Sequence, residues 1–433
     1  MRKKEILKFI VILSGVLTAS LTAFAEANPP VSEPVPSAQG LAVTLDEAVE
    51  KALNFNPDLK ALRKNVDIAR SEITKANTFS NPVASLNIEK GANRDPAPGL
   101  EFEIDKEMRV GTWWFNRKAA KSGYAAARQG LRSAEQALIR EVKSTFYSLL
   151  SLERNLRLAE ETIRLNDELA KVARARFERG EVSEVEANIF EVERDGSIQE
   201  KKRLEAGYFS ESLRFKNLLG FAPEIEIKPD GKLFDHTFSI DVDQLLVFAM
   251  KNRPDLLEAQ GKIERAKAQA AVAKVEAFPP VTLGFRYQQE TSGEDLYGAK
   301  VGIGVPVFDQ NRARIQETRA LREQAEAEFE ALRIQVLREI RTVHNNLQIL
   351  KEQIDIYQEK MEPKLEKTLE IYKSAYRGGQ VSLFEILINQ RQYFQAKGNY
   401  VNTLNEYSQA AGELERVVGG KFDEMIREGG EAK

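Results

Sequence analysis

The sequence predicts an α+β membrane protein built from a tandem-duplicated unit of helix, two strands, a very long helix and a further helix. Three observations predict it. Short landmarks recur in the same order about 197 residues apart, two proline-poor stretches are each long enough for a helix of about 60 residues, and period-two alternation precedes each of them.

The landmarks are specific. Asn56-Pro57-Asp58-Leu59 returns as Arg253-Pro254-Asp255-Leu256, Phe79-Ser80-Asn81-Pro82-Val83 as Phe278-Pro279-Pro280-Val281, and Asn116-Arg117 as Asn311-Arg312. Arg179-Gly180-Glu181-Val182-Ser183 returns as Gly378-Gly379-Gln380-Val381-Ser382. Each repeat opens on a capping-box pattern, Thr44-Leu45-Asp46-Glu47 and Asp241-Val242-Asp243-Gln244, with an N-cap acceptor and Glu or Gln three residues later. The first repeat is read over 41–222 and the second over 241–418, joined by a linker at 223–240 and followed by a tail at 419–433.

Ahead of the repeats lies an address. Arg2, Lys3, Lys4 and Lys8 precede an apolar stretch from Phe9 to Phe24 that ends in Ala23-Phe24-Ala25, the pattern of a secretory signal peptide over 1–25. The mature chain then begins at Glu26 with a proline-rich leader over 26–40.

The strands come from alternation. Leu100, Phe102 and Ile104 interleave with Glu101, Glu103, Asp105 and Glu107, and Tyr297, Ala299, Val301, Ile303, Val305 and Val307 interleave with Gly298, Lys300, Gly302, Gly304 and Pro306. Strands are expected over about 83–90 and 99–108, then 281–289 and 297–308, with turns at Gly91–Gly99 and Ser292–Asp295. Long helices are expected over 117–178 and 184–219, then 312–377 and 383–417. In the 312–377 helix an apolar seam returns every eleventh residue through Leu321, Leu332, Val343, Ile354, Leu365 and Tyr376, so these helices pack nearly straight. Gly180 and Gly379 sit where each long helix must reverse and a positive φ is needed.

Composition narrows the function. With 63 basic against 66 acidic residues there is no electrostatic case for nucleic acid. Zero cysteines remove thiolate metal sites and the cysteine of a lipoprotein anchor, and His236 and His344 lie far apart in sequence with no histidine or cysteine near either. No phosphate loop, Gly-x-Ser-x-Gly or His-Glu-x-x-His pattern is present, so catalytic, cofactor and metal residues are none. Four alternating strands cannot close a membrane barrel, for which about eight is the minimum, so the chain must oligomerise; two, three or four copies give 8, 12 or 16 strands, and strand count does not choose.

The duplicated unit, the two Pro-Asp-Leu segments, Gly304-Val305-Pro306-Val307-Phe308-Asp309 leading into Asn311-Arg312, and the paired Gly-x-Val-Ser turns resemble the TolC-like outer membrane efflux family over about Leu41 to Val418. The Val305–Arg312 passage is most similar to its heavy-metal cation branch. The resemblance implies a homotrimer with a 12-stranded β-barrel continuous with an α-helical barrel. It implies an outer-membrane exit duct reaching into the periplasm, engaged by a periplasmic adaptor and an inner-membrane transporter of the RND or ABC class. It places adaptor docking at the tip residues Arg179, Gly180, Val182, Ser183, Gly378, Gly379, Val381 and Ser382. It pairs Tyr376 with Glu186 across a closed iris, and three-fold symmetry would gather Glu186 and Glu385 into carboxylate rings whose crowding raises their pKa. Ile388 stands where the family carries a second acid. Glu101, Glu103, Asp105, Glu107 and Lys300 are read as facing the barrel lumen, and Trp113, Trp114, Tyr297 and Phe308 as aromatics at the lipid interface or, equally, as plain corner packing. Two rival readings remain at this stage: the duct of a type I protein-secretion system, and a periplasmic coiled-coil adaptor or scaffold without a pore.

Overall fold

The computed structural model describes residues 41–89, 99–233, 241–290 and 294–421, all within one compact unit, Gly40–Lys433. The signal peptide, the leader, His236, most of the Gly91–Gly99 turn, Ser292-Gly293 and the end of the tail lie outside the described residues.

The first repeat comprises β1 (Leu41–Val43), α1 (Leu45–Phe55), α2 (Pro57–Asn77), β2 (Val83–Glu89), β3 (Gly99–Met108), α3 (Thr112–Glu178) and α4 (Glu184–Leu218). Then follow β4 (Ile227–Pro229), α5 (Val242–Asn252), α6 (Pro254–Val275), β5 (Val281–Gln289), β6 (Asp295–Ile303), α7 (Arg312–Ile356), a π turn (Tyr357–Met361), α8 (Glu362–Arg377) and α9 (Leu383–Val418).

The first helix of each repeat is two helices, because Pro57 and Pro254 start a new one. The residue before a proline is pushed out of the helical region, while proline itself suits the first helical position. Thr44 and Glu47 close the capping box, Thr44 N donating to Glu47 Oε2 at 2.9 Å. Its counterpart does not close: Asp241 occupies the N-cap without a side-chain capping bond, leaving only its charge at the positive end of the helix.

Asn56 and Arg253 perform the same task with different chemistry. Asn56 caps α2 through Leu59 N at 3.0 Å and donates to Leu218 O at 3.1 Å, where α4 ends. Arg253, only 3% exposed, donates to Val417 O at 2.9 Å at the end of α9 and is neutralised by Asp255 at 2.8 Å and Glu339 at 2.7 Å. The chain folds tightly over both joints. Gly220 and Gly419 have φ of +73° and +83°, and an added Cβ would come within 2.7 Å of Phe55 O and of Arg253 Cα.

One apolar core gathers β1, β4, α1, α5, the middle of α3 and of α7 and the ends of α4 and α9 around Phe146, Leu149, Phe215, Val336, Leu414 and Val417. The parallel β1–β4 pair, Leu41 against Ile227 through Val43 against Pro229, ties the inter-repeat linker to the start of the first repeat. Neither short strand was expected, since three residues carry no periodic signal.

β2, β3, β5 and β6 form one antiparallel sheet in that order, joining the hairpins of both repeats and leaving β2 and β6 as its edges. β6 ends at Ile303 rather than near 308, so Val305 and Val307 lie in a loop, where Pro306 has no N–H for a ladder bond. α3 starts at Thr112, five residues before the expected start. Gly111, at φ +93°, supplies its N-cap, so the structural counterpart of N-cap Asn311 at φ +58° is Gly111 and not Asn116.

The 312–377 stretch is not one α-helix. Pro363 cannot donate to the carbonyl four residues back, and the wider π turn just before it absorbs the missing bond. The seam changes phase there: Tyr357 is buried, Met361 is exposed, and burial resumes at Leu369 and Tyr376.

Candidate functional site: the helical tip and the sheet

Each long hairpin turns on the same device. Gly180, at φ +74°, donates to Phe177 O at 2.8 Å while Glu181 N donates to Arg176 O at 2.9 Å; Gly379, at φ +70°, donates to Tyr376 O at 3.0 Å while Gln380 N donates to Ala375 O at 2.9 Å. These reversals satisfy the last carbonyls of α3 and α8 and need the left-handed residue that glycine supplies. Ser183 and Ser382 cap the next helices, accepting from Glu186 N at 3.3 Å and Glu385 N at 3.4 Å. Arg179, Gly180, Ser183, Gly378, Gly379 and Ser382 are exposed, while Val182 and Val381 are half-buried.

The two glutamates then part company. Glu186 is half-buried and accepts from Tyr376 Oη at 3.3 Å, joining the second hairpin to the first. Tyr376 is 0% exposed, packs on Phe190 with ring centroids 5.5 Å apart, and lies beneath the Arg176 guanidinium at 5.4 Å. Burial, reinforced by the Glu186 carboxylate and opposed by Arg176, pushes its hydroxyl pKa up to about 12. Glu385 instead folds back onto its own N-cap, accepting from Ser382 N and Ser382 Oγ at 2.8 Å each. Those bonds hold its pKa below the usual carboxylate value, because a carboxylate engaged by two donors favours its charged form. Ile388 is exposed.

Above the tip, α3 and α9 run antiparallel and carry a ladder of polar pairs that sequence reading missed. Lys143 pairs with Glu415, Ser148 with Gln409 at 3.1 Å, Asn155 with Asn402 at 3.1 Å, Glu161 with Lys397 at 3.3 Å, and Asn166 with Gln390. The last pair is buried, at 1% and 2% exposure. Asn166 also donates to Ser197 Oγ at 2.9 Å, and Gln390 Oε1 has no hydrogen-bond partner. Their signal in sequence is a polar residue within an apolar seam: Asn166 between Leu165 and Leu169, and Gln390 one turn after Ile386-Leu387. Ion pairs Arg377–Glu168 and Arg391–Glu193 flank the same junction.

The sheet has two unlike faces. By register, Leu86, Ile88, Ile104, Leu283, Phe285, Tyr297, Val301 and Ile303 share one face, and all of them are exposed. The other face carries Glu101, Glu103, Asp105 and Glu107 beside Arg286 and Lys300. Lys300 Nζ reaches Glu103 at 2.7 Å and Asp105 at 2.9 Å. A broad exposed apolar face opposite a charged one is the pattern of strands between lipid and water. Tyr297 lies at the loop end of this sheet, its ring 5.3 Å from Tyr287. At the helical end Trp113 and Trp114 belong to the first turn of α3; Trp113 stacks on Phe79 at 6.5 Å with Arg117 above it at 5.5 Å, and Trp114 is exposed. Phe308, fully exposed, lies in the loop beyond β6.

Among the described residues no helix is long and apolar enough to cross a membrane, and no cluster of His, Cys, Asp and Glu is placed to hold a metal ion. His344 lies within α7.

This combination of a two-faced sheet and long paired helices defines a class: the chain belongs to the outer membrane efflux protein family, whose model matches residues 48–188 and 245–420. It is an outer-membrane efflux channel in a family of channels rather than enzymes. Among individual proteins it is similar to the cobalt-zinc-cadmium resistance protein CzcC of Cupriavidus metallidurans, 22% identical over 87% of this chain and 90% of that one. It is likewise 22% identical to the cation efflux system protein CusC of Escherichia coli, over 83% of each chain. Its fold matches crystal structures of CusC, with a TM-score of 0.75, 17% identity and 90% and 99% of the two chains covered. The outer membrane channel CmeC of Campylobacter jejuni matches with a TM-score of 0.76, 18% identity and 94% and 96% coverage.

Proposed function

We propose that three copies of this chain close a 12-stranded barrel and a continuous helical tunnel, the passive exit duct of a tripartite pump. The observation that carries this reading is the four-stranded sheet, apolar on one face and charged on the other, whose two edges are open in the single chain. In lipid those edges must pair, and a neighbouring copy supplies β6 for β2. A periplasmic adaptor docks on the exposed turn residues around Gly180 and Gly379, and an RND or ABC transporter in the inner membrane supplies the energy. Tyr376 and Glu186 hold the tip shut. Glu385, committed to its cap, serves the helix start rather than a charge ring. The signal peptide directs export, and the protein performs no catalysis.

The cargo is divalent metal cations. The name of CzcC supports this, and that of CusC and the Val305–Arg312 passage support cations more broadly. The test is deletion of the gene with growth on graded cobalt, zinc and cadmium. Sensitisation to these metals, reversed by the intact gene, is expected; unchanged metal tolerance with new sensitivity to organic drugs would sink the metal assignment and keep the duct.

A further inference from the structure

Lys300 occupies an unusual position on the charged face. It stands on β6, yet both of its partners stand on β3, with β5 between them. The residue it must cross is Gly284, its register partner on β5 and that of Asp105 on β3. A Cβ at Gly284 would fall 2.1 Å from Asp105 Oδ1, so the absence of a side chain opens the path. Arg286, two residues along β5, sits 3.5 Å from Glu101 on the adjacent strand, a diagonal contact that crosses no strand. Beyond the strand end Arg109 meets Glu107 at 3.5 Å.

On this face of β3, β5 and β6 four carboxylates meet two bases. We propose that Lys300 sets the ion preference of the barrel: by crossing Gly284 to tie up Glu103 and Asp105, it cuts the excess of acids on this wall from three to two per chain, so that cations are drawn in without being held. The proposal rests on the duct reading, which turns this face to the lumen. Lys300→Gln frees two carboxylates per chain, six around a three-fold ring, and strengthens the preference for cations. A Glu103→Gln/Asp105→Asn double substitution removes the acids, leaves Lys300 unpaired and moves the preference the other way.

The experiment is the zero-current potential of the purified, reconstituted full-length protein across a planar bilayer in a potassium chloride gradient. At about 0.1 M salt, where charges act over about 10 Å, Lys300→Gln should raise the cation-to-anion permeability ratio on the order of threefold, and the double substitution should lower it by a comparable factor. Near 1 M salt both differences should shrink as screening shortens to about 3 Å. Lys300→Arg should behave as the parent. Opposite shifts in the two variants support the proposal, and the double substitution alone carries the test if Lys300→Gln fails to assemble. A conducting parent whose preference ignores both changes overturns the proposal and leaves the duct intact. A protein that conducts neither as the parent nor with its tip released by Tyr376→Phe overturns the duct reading, and this one with it.

Discussion

Tyr376 shows how one side chain couples two hairpins. It is fully buried and offers its hydroxyl to Glu186, so Tyr376→Phe keeps the packing and removes one hydrogen bond, about 1 kcal/mol. If that bond holds the tip, single-channel conductance of the variant rises while its trimer still forms; an unchanged conductance sinks the latch. The raised pKa adds a pH test. A tyrosine whose folded pKa is about 12 contributes stability in full below pH 10 and loses it as pH climbs from 10 toward 12. Conductance should therefore rise in that alkaline window in the parent and stay flat in Tyr376→Phe. Glu385 has the opposite sign: its depressed pKa makes the cap of α9 strong above the usual carboxylate value and weak as pH falls below it. A loss of amide protection, relative to the intrinsic exchange rate, at the first turn of α9 near pH 3 and not at pH 7 is the expected result. The glycines separate by their surroundings. Gly220→Ala sets a Cβ against Phe55 O and should cost about 3 kcal/mol or more, whereas Gly180→Ala meets no atom within 4 Å and pays only for its φ, about 1 kcal/mol. Melting temperatures that fail to separate the two variants would contradict this.

Among the elements, the antiparallel pair of α3 and α9 depends most on polar chemistry. Its ladder advances in matched steps of five to seven residues on each helix, which fixes one register between two surfaces that are otherwise a repeating apolar seam. Asn166→Ala leaves the Gln390 amide buried without its partner and should destabilise the hairpin contact by about 1–3 kcal/mol. Asn166→Leu combined with Gln390→Leu should recover most of that loss, a coupling that a double-mutant cycle in denaturant measures. Near-additive losses would show that the two amides act separately. The π turn is the other feature of this scale. It shifts the seam of α7 by one residue before α8 begins, and the proline that requires it is the one proline between Arg312 and Arg377. Because the chain has no cysteine, Met361→Cys reports on it directly. Thiol labelling should be fast in the parent background and slow with Pro363→Ala, where a regular helix turns that position into the seam.

At the scale of the whole molecule, what the single chain leaves unsatisfied is as informative as what it satisfies. β2 and β6 end the sheet with unpaired ladders, and the apolar face from Leu86 to Val301 has no covering element among the described residues. In the proposed duct, lipid covers the face and another copy covers the edges. Cysteines at Leu86 or Ile88 with Val301 should therefore crosslink protomers into a closed three-chain species on a denaturing gel. Electron microscopy of the detergent-extracted protein should show a three-fold ring. Dimers or tetramers would change the strand number to 8 or 16 and refute the 12-stranded barrel.

The sequence by itself determined the duplication, the order of strands and long helices, the faces of the sheet and the glycine reversals, because each is written in local patterns: period two, period 3.6, a positive φ. It also supplied the pairing of Tyr376 with Glu186, but only through a family resemblance, since nothing local links residues 190 positions apart. Tertiary structure alone decided the rest. Whether Gly284 is a weak spot in a strand or a passage for Lys300 depends on the register of three strands from both repeats. The buried amides of Asn166 and Gln390 read as interruptions of a seam until two helices more than 200 residues apart place them together. Local patterns report which way a side chain faces; only packing reports what it meets.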